Sequence, residues 1–153
     1  MSATVRLAGD ADLPTLVRLR AAWTYEQDGD VDDTSYEEAF TAWYARERDQ
    51  RLTWLAEVGG TAAGMLNLLV FTRMPRLGRP MPKWGYVANA FVLAAYRGQG
   101  TGTRLVRAAT AYADQHGFAR LVLSPSPRSV PLYERQGFGT DHPLLVRRPC
   151  GST

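Results

Sequence analysis

The chain has 153 residues, which suits one domain, and its hydrophobic share of 45% is ample for a core. Its formal net charge of +3 is too small to indicate nucleic-acid binding, and no apolar run approaches the roughly 20 residues of a membrane span. The N-terminus lacks the pattern of a secretory signal, so we expect a cytoplasmic protein with neither nucleic-acid nor membrane partners. Cys150 is the single cysteine, so we expect no internal disulfide and no metal site.

A short strand and two helices are predicted at the start of the chain. Val5 and Leu7 alternate with polar neighbours, which predicts the strand. Apolar residues spaced by three and four predict a helix from about Leu13 to Tyr25. A second helix is expected after Thr34 or Ser35, either of which can cap its N-terminus. This helix carries an aromatic stripe that is typical of a core-facing surface, formed by Tyr36, Phe40, Trp43 and Tyr44.

Two charge runs interrupt these patterns. Seven acids and no base lie between Glu26 and Glu38, and four bases and no acid lie between Arg73 and Lys83. Such runs usually form solvated surfaces. The basic run falls in a stretch with three prolines, from Thr72 to Lys83, which predicts a long loop without regular structure.

A strand pair precedes that loop, and a third strand follows it. Residues Leu52 to Val58 and Thr61 to Phe71 are predicted strands, and the intervening Gly59 and Gly60 predict a hairpin turn. The third strand runs from Tyr86 to Leu93, where β-branched and aromatic residues follow one another with almost no charge.

Glycines at positions 98, 100 and 102 then separate this strand from a helix that reaches His116. A glycine turn before a helix lets main-chain N–H groups approach an anion, and the helix start adds a partial positive charge. Arg97, Arg104 and Arg107 flank the turn, so we predict a phosphate-bearing ligand. The turn does not match the dinucleotide-binding fingerprint, because that pattern needs glycine at its sixth position and this chain has Thr103 there. The chain also lacks the Gly-Lys-Ser/Thr triplet of a nucleoside-triphosphate-binding loop.

The remaining chain is predicted to add short elements. Residues 121–123 form a strand, Ser129 caps a brief helix that ends near Gln136, and Phe138 and residues 144–147 offer two final strand pieces.

Two blocks carry a family resemblance. Residues 97–102, Arg-Gly-Gln-Gly-Thr-Gly, resemble the Arg/Gln-x-x-Gly-x-Gly/Ala signature of the GCN5-related N-acetyltransferase (GNAT) superfamily. Residues 132–138, Leu-Tyr-Glu-Arg-Gln-Gly-Phe, are similar to that family's Leu-Tyr-Glu-Lys-x-Gly-Phe segment. The resemblance implies one α+β domain over residues 1–153 with the GNAT (acyl-CoA N-acyltransferase) fold. It also implies a mixed central sheet of about six to seven strands, flanked by about four helices.

The resemblance further implies acetyl-CoA as the acetyl donor. In the family, the glycine loop binds the pyrophosphate and the pantetheine arm runs along the central strand. A main-chain N–H there, that of Val92, would polarise the thioester oxygen. The tyrosine of the second block, Tyr133, is the implied general acid. The implied cofactor-binding residues are Ala90, Phe91, Val92, Arg97, Gly98, Gln99, Gly100, Thr101, Gly102, Thr103 and Ser126.

The proton acceptor and the acetyl acceptor stay open. Many relatives carry a glutamate on the central strand where this chain has Ala88. Tyr25 and Glu26 are expected on the substrate side, where the acidic run would favour a small cationic amine. The alternatives are acetylation of a protein N-terminus or lysine, and a non-catalytic acyl-CoA sensor. A homodimer is also expected, since many relatives form one.

Overall fold

One mixed sheet forms the centre of the protein in a computed structural model that describes residues 1–149 and 151. The spatial order of its five strands is their order in the chain. The first four strands are antiparallel, and the last is parallel to the fourth. The strands are β1 (Thr4–Leu7), β2 (Arg51–Val58), β3 (Thr61–Phe71), β4 (Trp84–Val92) and β5 (Leu121–Leu123). Cys150 lies outside the described residues, so its expected lack of a disulfide stays a prediction.

In the part of the chain that the structure describes, four α-helices flank the sheet: α1 (Leu13–Asp28), α2 (Tyr36–Glu47), α3 (Thr101–Gln115) and α4 (Val130–Glu134). α3 connects β4 to β5, and such a helical crossover is what allows neighbouring strands to run parallel. α1 is three residues longer than predicted and ends at Asp28. Gly29 follows it with a φ of +77°, which takes the chain out of the helix. Three 3-10 helices were not predicted, at Asp10–Asp12, Arg48–Gln50 and Ala94–Tyr96.

The core lies on both faces of the sheet because strand side chains alternate between the faces. On β2, Trp54 and Ala56 belong to a cluster that contains Leu105 of α3 and Tyr133 of α4. The residue between them, Leu55, packs on the other face in a cluster with Leu16 of α1.

A β-bulge interrupts the pairing of β3 with β4. Asn67 lies opposite Asn89 and Leu68 lies opposite Val87, so Ala88 is an extra residue without a partner. β5 pairs with β4 only over Gly85–Val87. Beyond Val87, the edge of β4 that faces β5 is therefore open.

The turn after β4 takes the predicted glycine geometry at two of its three glycines. Gly98 and Gly100 have φ values of +71° and +82°, which side chains other than glycine rarely adopt. Gly100 directly precedes α3, and the first N–H groups of the helix have no carbonyl partner within it. Gly102 has an ordinary helical conformation, and a Cβ there would lie 3.5 Å from Leu132 Cδ2.

The two final strands predicted near the C-terminus are wrong, so the sheet has five strands instead of six to seven. Phe138 closes α4 instead: its N–H donates to Tyr133 O at 3.1 Å. Residues 144–147 form no strand, and Leu145 is 97% exposed. Apolar residues favour a strand only where a neighbouring surface buries them, and Pro143 supplies no N–H for pairing.

An ion-pair cluster joins β1 to the start of α1. The Arg6 guanidinium donates to both carboxylate oxygens of Asp12, at 2.8 and 2.9 Å, and also pairs with Glu57 of β2 at 3.1 Å. The Arg6 hydrogen bonds, together with one from the Gly9 N–H, lower the pKa of Asp12 from 3.8 to about 2.

We predict that Asp12→Asn lowers the free energy of unfolding by about 1 kcal/mol near pH 7. The expected effect is small because the Arg6 side chain is half exposed, and solvent screens its ion pair with Asp12. The folded-state pKa lies below that of the unfolded chain. The ionised carboxylate therefore stabilises the fold above about pH 4, and this contribution disappears as the pH falls towards 2. Urea unfolding across this range measures the difference. The control Asp49→Asn, at a side chain that is 94% exposed, should match the wild type at every pH. The prediction would be contradicted if the free energy of unfolding of Asp12→Asn were lower than that of the wild type by the same amount at every pH.

A second prediction concerns the glycine turn. Gly100→Ala should destabilise the protein by about 1 to 2 kcal/mol because alanine must adopt the left-handed conformation. The matched variant Gly102→Ala should be neutral or stabilising by up to about 1 kcal/mol, since alanine is the better helix former and its Cβ has room. Urea unfolding of both variants measures the difference, and equal stabilities would show that the turn does not require a left-handed residue.

Candidate active site

The open edge of β4 presents main-chain groups to a cavity beside the glycine turn. The Leu93 N–H donates to Ala63 O at 2.9 Å, and hydrogen-bonded pairs alternate with non-bonded pairs in an antiparallel ladder. The next pair, Val92 with Gly64, is therefore non-bonded, and the main chain of Val92 faces away from β3. Its carbonyl accepts a hydrogen bond from Arg97 Nε at 2.9 Å. The Val92 N–H points to the same side as this carbonyl.

The glycine-loop cavity, of about 770 Å³, lies between this edge, the turn, α1, α3 and α4. Ten of the eleven residues expected to bind the cofactor line it: Ala90, Phe91, Val92, Arg97, Gly98, Gly100, Thr101, Gly102, Thr103 and Ser126. The eleventh, Gln99, is exposed, and its amide donates to Ala95 O at 3.3 Å. The fold therefore brings nearly the whole predicted set to one cavity.

Arg97 connects the glycine turn to the end of α1. Its guanidinium makes a two-pronged ion pair with Glu26, at 2.7 and 2.8 Å, and this hydrogen bonding lowers the pKa of Glu26. Arg128 and Arg135 also line the cavity, whereas Arg104 and Arg107, which were expected to add charge at the turn, do not. Sequence reasoning missed Arg128 and Arg135 because only the fold carries α4 next to the turn.

Tyr133 lies on α4 and lines the glycine-loop cavity. Its side chain is only 8% exposed, and burial raises the pKa of its phenol. The ring of Phe138 packs edge-on against it with a centroid separation of 5.7 Å. The phenol is therefore held in place and stays protonated at neutral pH. The hydroxyl of Ser126, earlier in the same segment, is 3.0 Å from that of Ser129.

A second cavity, of about 700 Å³, lies between α1, α2 and β2 to β4, and we call it the aromatic cavity. The stripe that was expected to face the core also lines this cavity: Tyr36, Phe40, Trp43 and Tyr44. No residue of α2 is fully buried, although Phe40 and Tyr44 also pack against the core cluster of α1. The pattern of the stripe indicated an apolar face, but only the fold shows that this face borders a cavity.

A polar network forms part of this cavity's lining. Arg51 donates to Asn67 Oδ1 at 2.7 Å and pairs with Glu47 at 2.9 Å, and its guanidinium lies 4.9 Å from the Trp43 ring centroid. The Asn67 amide donates to Thr53 Oγ1 at 2.8 Å. Because these partners satisfy one another, Arg51 and Glu47 are held as a neutral pair.

Stacked side chains mark the boundary between the cavities. The rings of Trp23 and Phe91 are nearly parallel, with centroids 5.4 Å apart. Arg20 lies over the Trp23 ring and Arg97 lies over the Phe91 ring. Arg20 lines the aromatic cavity, and the other three side chains line the glycine-loop cavity. On β4, Ala88 and Asn89 line the aromatic cavity, and Ala90–Val92 line the glycine-loop cavity. The two cavities therefore meet along one strand.

The residues expected on the substrate side, Tyr25 and Glu26, do not line the aromatic cavity. Tyr25 is half exposed and lines neither cavity, and Glu26 lines the glycine-loop cavity through its ion pair with Arg97. The other acids between residues 28 and 38 line neither cavity. In residues 1–149 and 151, no helix has the length and apolarity to span a membrane, and no group of three His, Cys, Asp or Glu side chains could hold a metal.

Comparison with known proteins agrees with this geometry. The Acetyltransferase (GNAT) family model matches residues 15–138. A GCN5-related N-acetyltransferase from Ralstonia eutropha JMP134 superposes with a TM-score of 0.74 at 25% identity, over 99% of this chain and all of the other. A predicted acetyltransferase from Clostridium acetobutylicum, solved with acetyl-CoA, has a TM-score of 0.73 at 20% identity, over 95% and 96% of the two chains.

A glucosamine 6-phosphate N-acetyltransferase from Trypanosoma brucei brucei is 29% identical over 79 residues, which are 52% of each chain. The chain thus matches about half the length of this curated relative. The α+β fold expected from the sequence is the one these structures share, and an N-acetyltransferase that takes its acetyl group from acetyl-CoA is the enzyme class of the matched family. The chain belongs to the acetyltransferase (GNAT) family.

Proposed function

We propose that the protein transfers the acetyl group of acetyl-CoA to a primary amine of a small molecule. The observation that carries this proposal is the meeting of two cavities on adjacent residues of β4. One cavity has the loop, helix start and open strand edge that suit an acyl-CoA. The other has the volume and apolar walls that suit a small-molecule ligand.

The donor would bind through main-chain groups. The N–H groups at the start of α3 would receive the pyrophosphate, with Arg128 and Arg135 as additional positive charge. The pantetheine arm would lie along Ala90–Val92, where the edge of β4 is open. The Val92 N–H would then donate to the thioester oxygen and stabilise the negative charge that develops there.

The reaction needs no covalent intermediate, because a thioester is already activated. The amine nitrogen attacks the carbonyl carbon, a C–N bond forms, and the C–S bond breaks. Tyr133 would give its phenolic proton to the departing sulfur, and its burial keeps that proton in place until then.

Two protons leave the nitrogen in all. An ammonium loses one to solvent before it attacks, and the attacking nitrogen loses a second through water as the amide forms and the Tyr133 phenolate regains a proton. Ala88, at the bulge, offers no carboxylate, and Glu26 and Glu47 are each held by an arginine. A carboxylate that is already paired with an arginine is a weak base. We therefore propose that the amine reacts in its neutral form after losing a proton to solvent.

The lining of the aromatic cavity would determine which acceptor molecules bind. None of the seven acids of the acidic run lines it, so they do not supply the contacts that would select a cationic amine. A relative is named for its action on glucosamine 6-phosphate, which is a reason to include amino sugars among the acceptors tested.

The proposal is tested by thiol release from acetyl-CoA with a panel of acceptors. The panel contains amino acids, aliphatic and aromatic amines, amino sugars including glucosamine 6-phosphate, and peptides with free N-termini or lysines. We expect release with at least one small amine and formation of the N-acetylated product by mass spectrometry. Binding of acetyl-CoA without release in any mixture would indicate a sensor, and release with peptides alone would indicate a protein acetyltransferase.

We predict that Tyr133→Phe lowers turnover by about 100-fold or more, since a positioned acid contributes on that order, and leaves acetyl-CoA affinity within about twofold. Steady-state kinetics and calorimetric titration measure the two quantities. The control is Tyr112→Phe, which removes a hydroxyl from α3 outside both cavities and should change neither. Unchanged turnover in Tyr133→Phe would remove this residue from the mechanism.

A further inference from the structure

The aromatic cavity contains one arginine whose charge is not balanced. Its lining holds three acids and three arginines. Arg48 pairs with Asp10 at 2.7 Å and approaches Asp49 at 4.0 Å, and Arg51 pairs with Glu47 at 2.9 Å. Arg20 has no ion pair with any acid in the described part of the chain. The cavity is thus neutral as a whole, but its positive charge is concentrated at Arg20.

Arg20 is positioned and only partly solvated. Its Nη1 donates to Thr24 Oγ1 at 2.9 Å, one turn further along α1, and its guanidinium lies 4.9 Å from the Trp23 ring centroid. Within residues 1–149 and 151, no other hydrogen bond uses its remaining N–H groups. These contacts hold the guanidinium in one place and leave several donors free for a ligand.

The surroundings of Arg20 strengthen any interaction with an anion. Phe40 and Trp43 form part of the same lining, and the hydroxyl of Tyr36 is satisfied by the Val17 carbonyl at 3.1 Å. Burial raises the pKa of Tyr36, and the nearby charge of Arg20 acts in the opposite direction. The charge of Arg20 therefore acts on this wall of the cavity, and the partly buried rings beside it exclude part of the solvent that would screen the charge.

We infer that the acetyl acceptor carries an anionic group, a carboxylate or a phosphate, in addition to its amine, and that Arg20 binds this group. The inference rests on the proposed function and specifies its acceptor. A planar guanidinium with free N–H groups binds either anion through charge-assisted hydrogen bonds. Arg20 is thus assigned as a specificity-determining residue.

The location of Arg20 also limits the size of the acceptor. Arg20 lies over Trp23 at 4.9 Å, and the Trp23 ring stacks on that of Phe91 at 5.4 Å, so two ring contacts connect the guanidinium to the strand where the thioester would lie. A small molecule could place its amine near Ala88 and Asn89 and its anionic group at Arg20.

Two pairs of acceptors test the inference, because the members of each pair differ mainly by the anionic group. Phenylalanine is compared with phenethylamine, which lacks the carboxylate, and O-phosphoethanolamine is compared with ethanolamine, which lacks the phosphate. The measured quantity is kcat/KM for thiol release. We expect wild-type protein to prefer the anionic member of at least one pair by about 10-fold to 100-fold, the range for a hydrogen bond to a charged group. The preferred pair identifies the anion.

Variants of Arg20 locate the origin of that preference. Arg20→Met should reduce the ratio within the preferred pair by about 10-fold or more, chiefly through KM, and Arg20→Lys should restore part of it. Arg18→Met is the matched control, since Arg18 lies on the exposed side of the same helix and lines neither cavity. It should leave the ratio unchanged. Circular dichroism of each variant confirms folding.

Three results would overturn the inference. The first is a kcat/KM for the anionic member that is equal to or lower than that for the member without the anion in both pairs. No activity with any of the four compounds counts as the same result. The second is an equal loss of kcat/KM for both members in Arg20→Met. The third is a preference that Arg18→Met abolishes as fully as Arg20→Met does. Turnover of amines without anionic groups would leave the proposed function intact in each case, whereas absence of turnover across the whole acceptor panel would overturn the proposed function as well.

Discussion

The early end of the β4–β5 pairing is the constraint on which the site depends. The two strands are hydrogen-bonded only as far as Val87 and Leu123, while β4 continues to Val92. Unpaired main-chain groups in a sheet must find another partner, either water or a ligand. The bulge at Ala88 reinforces this arrangement, because an extra residue bends a strand and increases its local twist. A ligand that lies along Ala90–Val92 would complete the hydrogen bonding of the sheet.

The second organising contact is the ion pair of Arg97 with Glu26. It joins the glycine turn to the end of α1, and the parallel rings of Trp23 and Phe91 join the same two elements a short distance away. Together these contacts position α1 as a wall shared by both cavities. They also neutralise the arginine that begins the glycine motif. In the proposed function, anion binding at the turn would therefore rely on the main-chain N–H groups of α3 and on the arginines contributed by the α4 segment.

Local patterns were sufficient to predict the strand and the turn that line the glycine-loop cavity. Alternating or continuous apolar residues identified β2, β3 and β4, and glycine spacing identified the turn, because these signals lie within a few residues of one another. The sequence could not show which residues that lie far apart in the chain come into contact in the fold. Glu26 and Arg97 are 71 residues apart, and nothing local shows that they meet. The aromatic stripe of α2 had the period of a core helix, but whether a core or a cavity lies opposite depends on the distance between α2 and the sheet. The tail at residues 144–147 had the composition of a strand without a neighbour to pair with.

The most direct test of the central claim compares two donors by calorimetric titration of the purified, folded protein. Acetyl-CoA and S-acetylpantetheine share the thioester and the arm that would lie along β4, but only the first has the pyrophosphate. We expect acetyl-CoA to bind at about one molecule per chain and S-acetylpantetheine to bind at least about tenfold more weakly, because charge-assisted hydrogen bonds at the glycine turn are lost. Equal affinities, or no heat with acetyl-CoA, would contradict the claim that the turn and the start of α3 bind the donor.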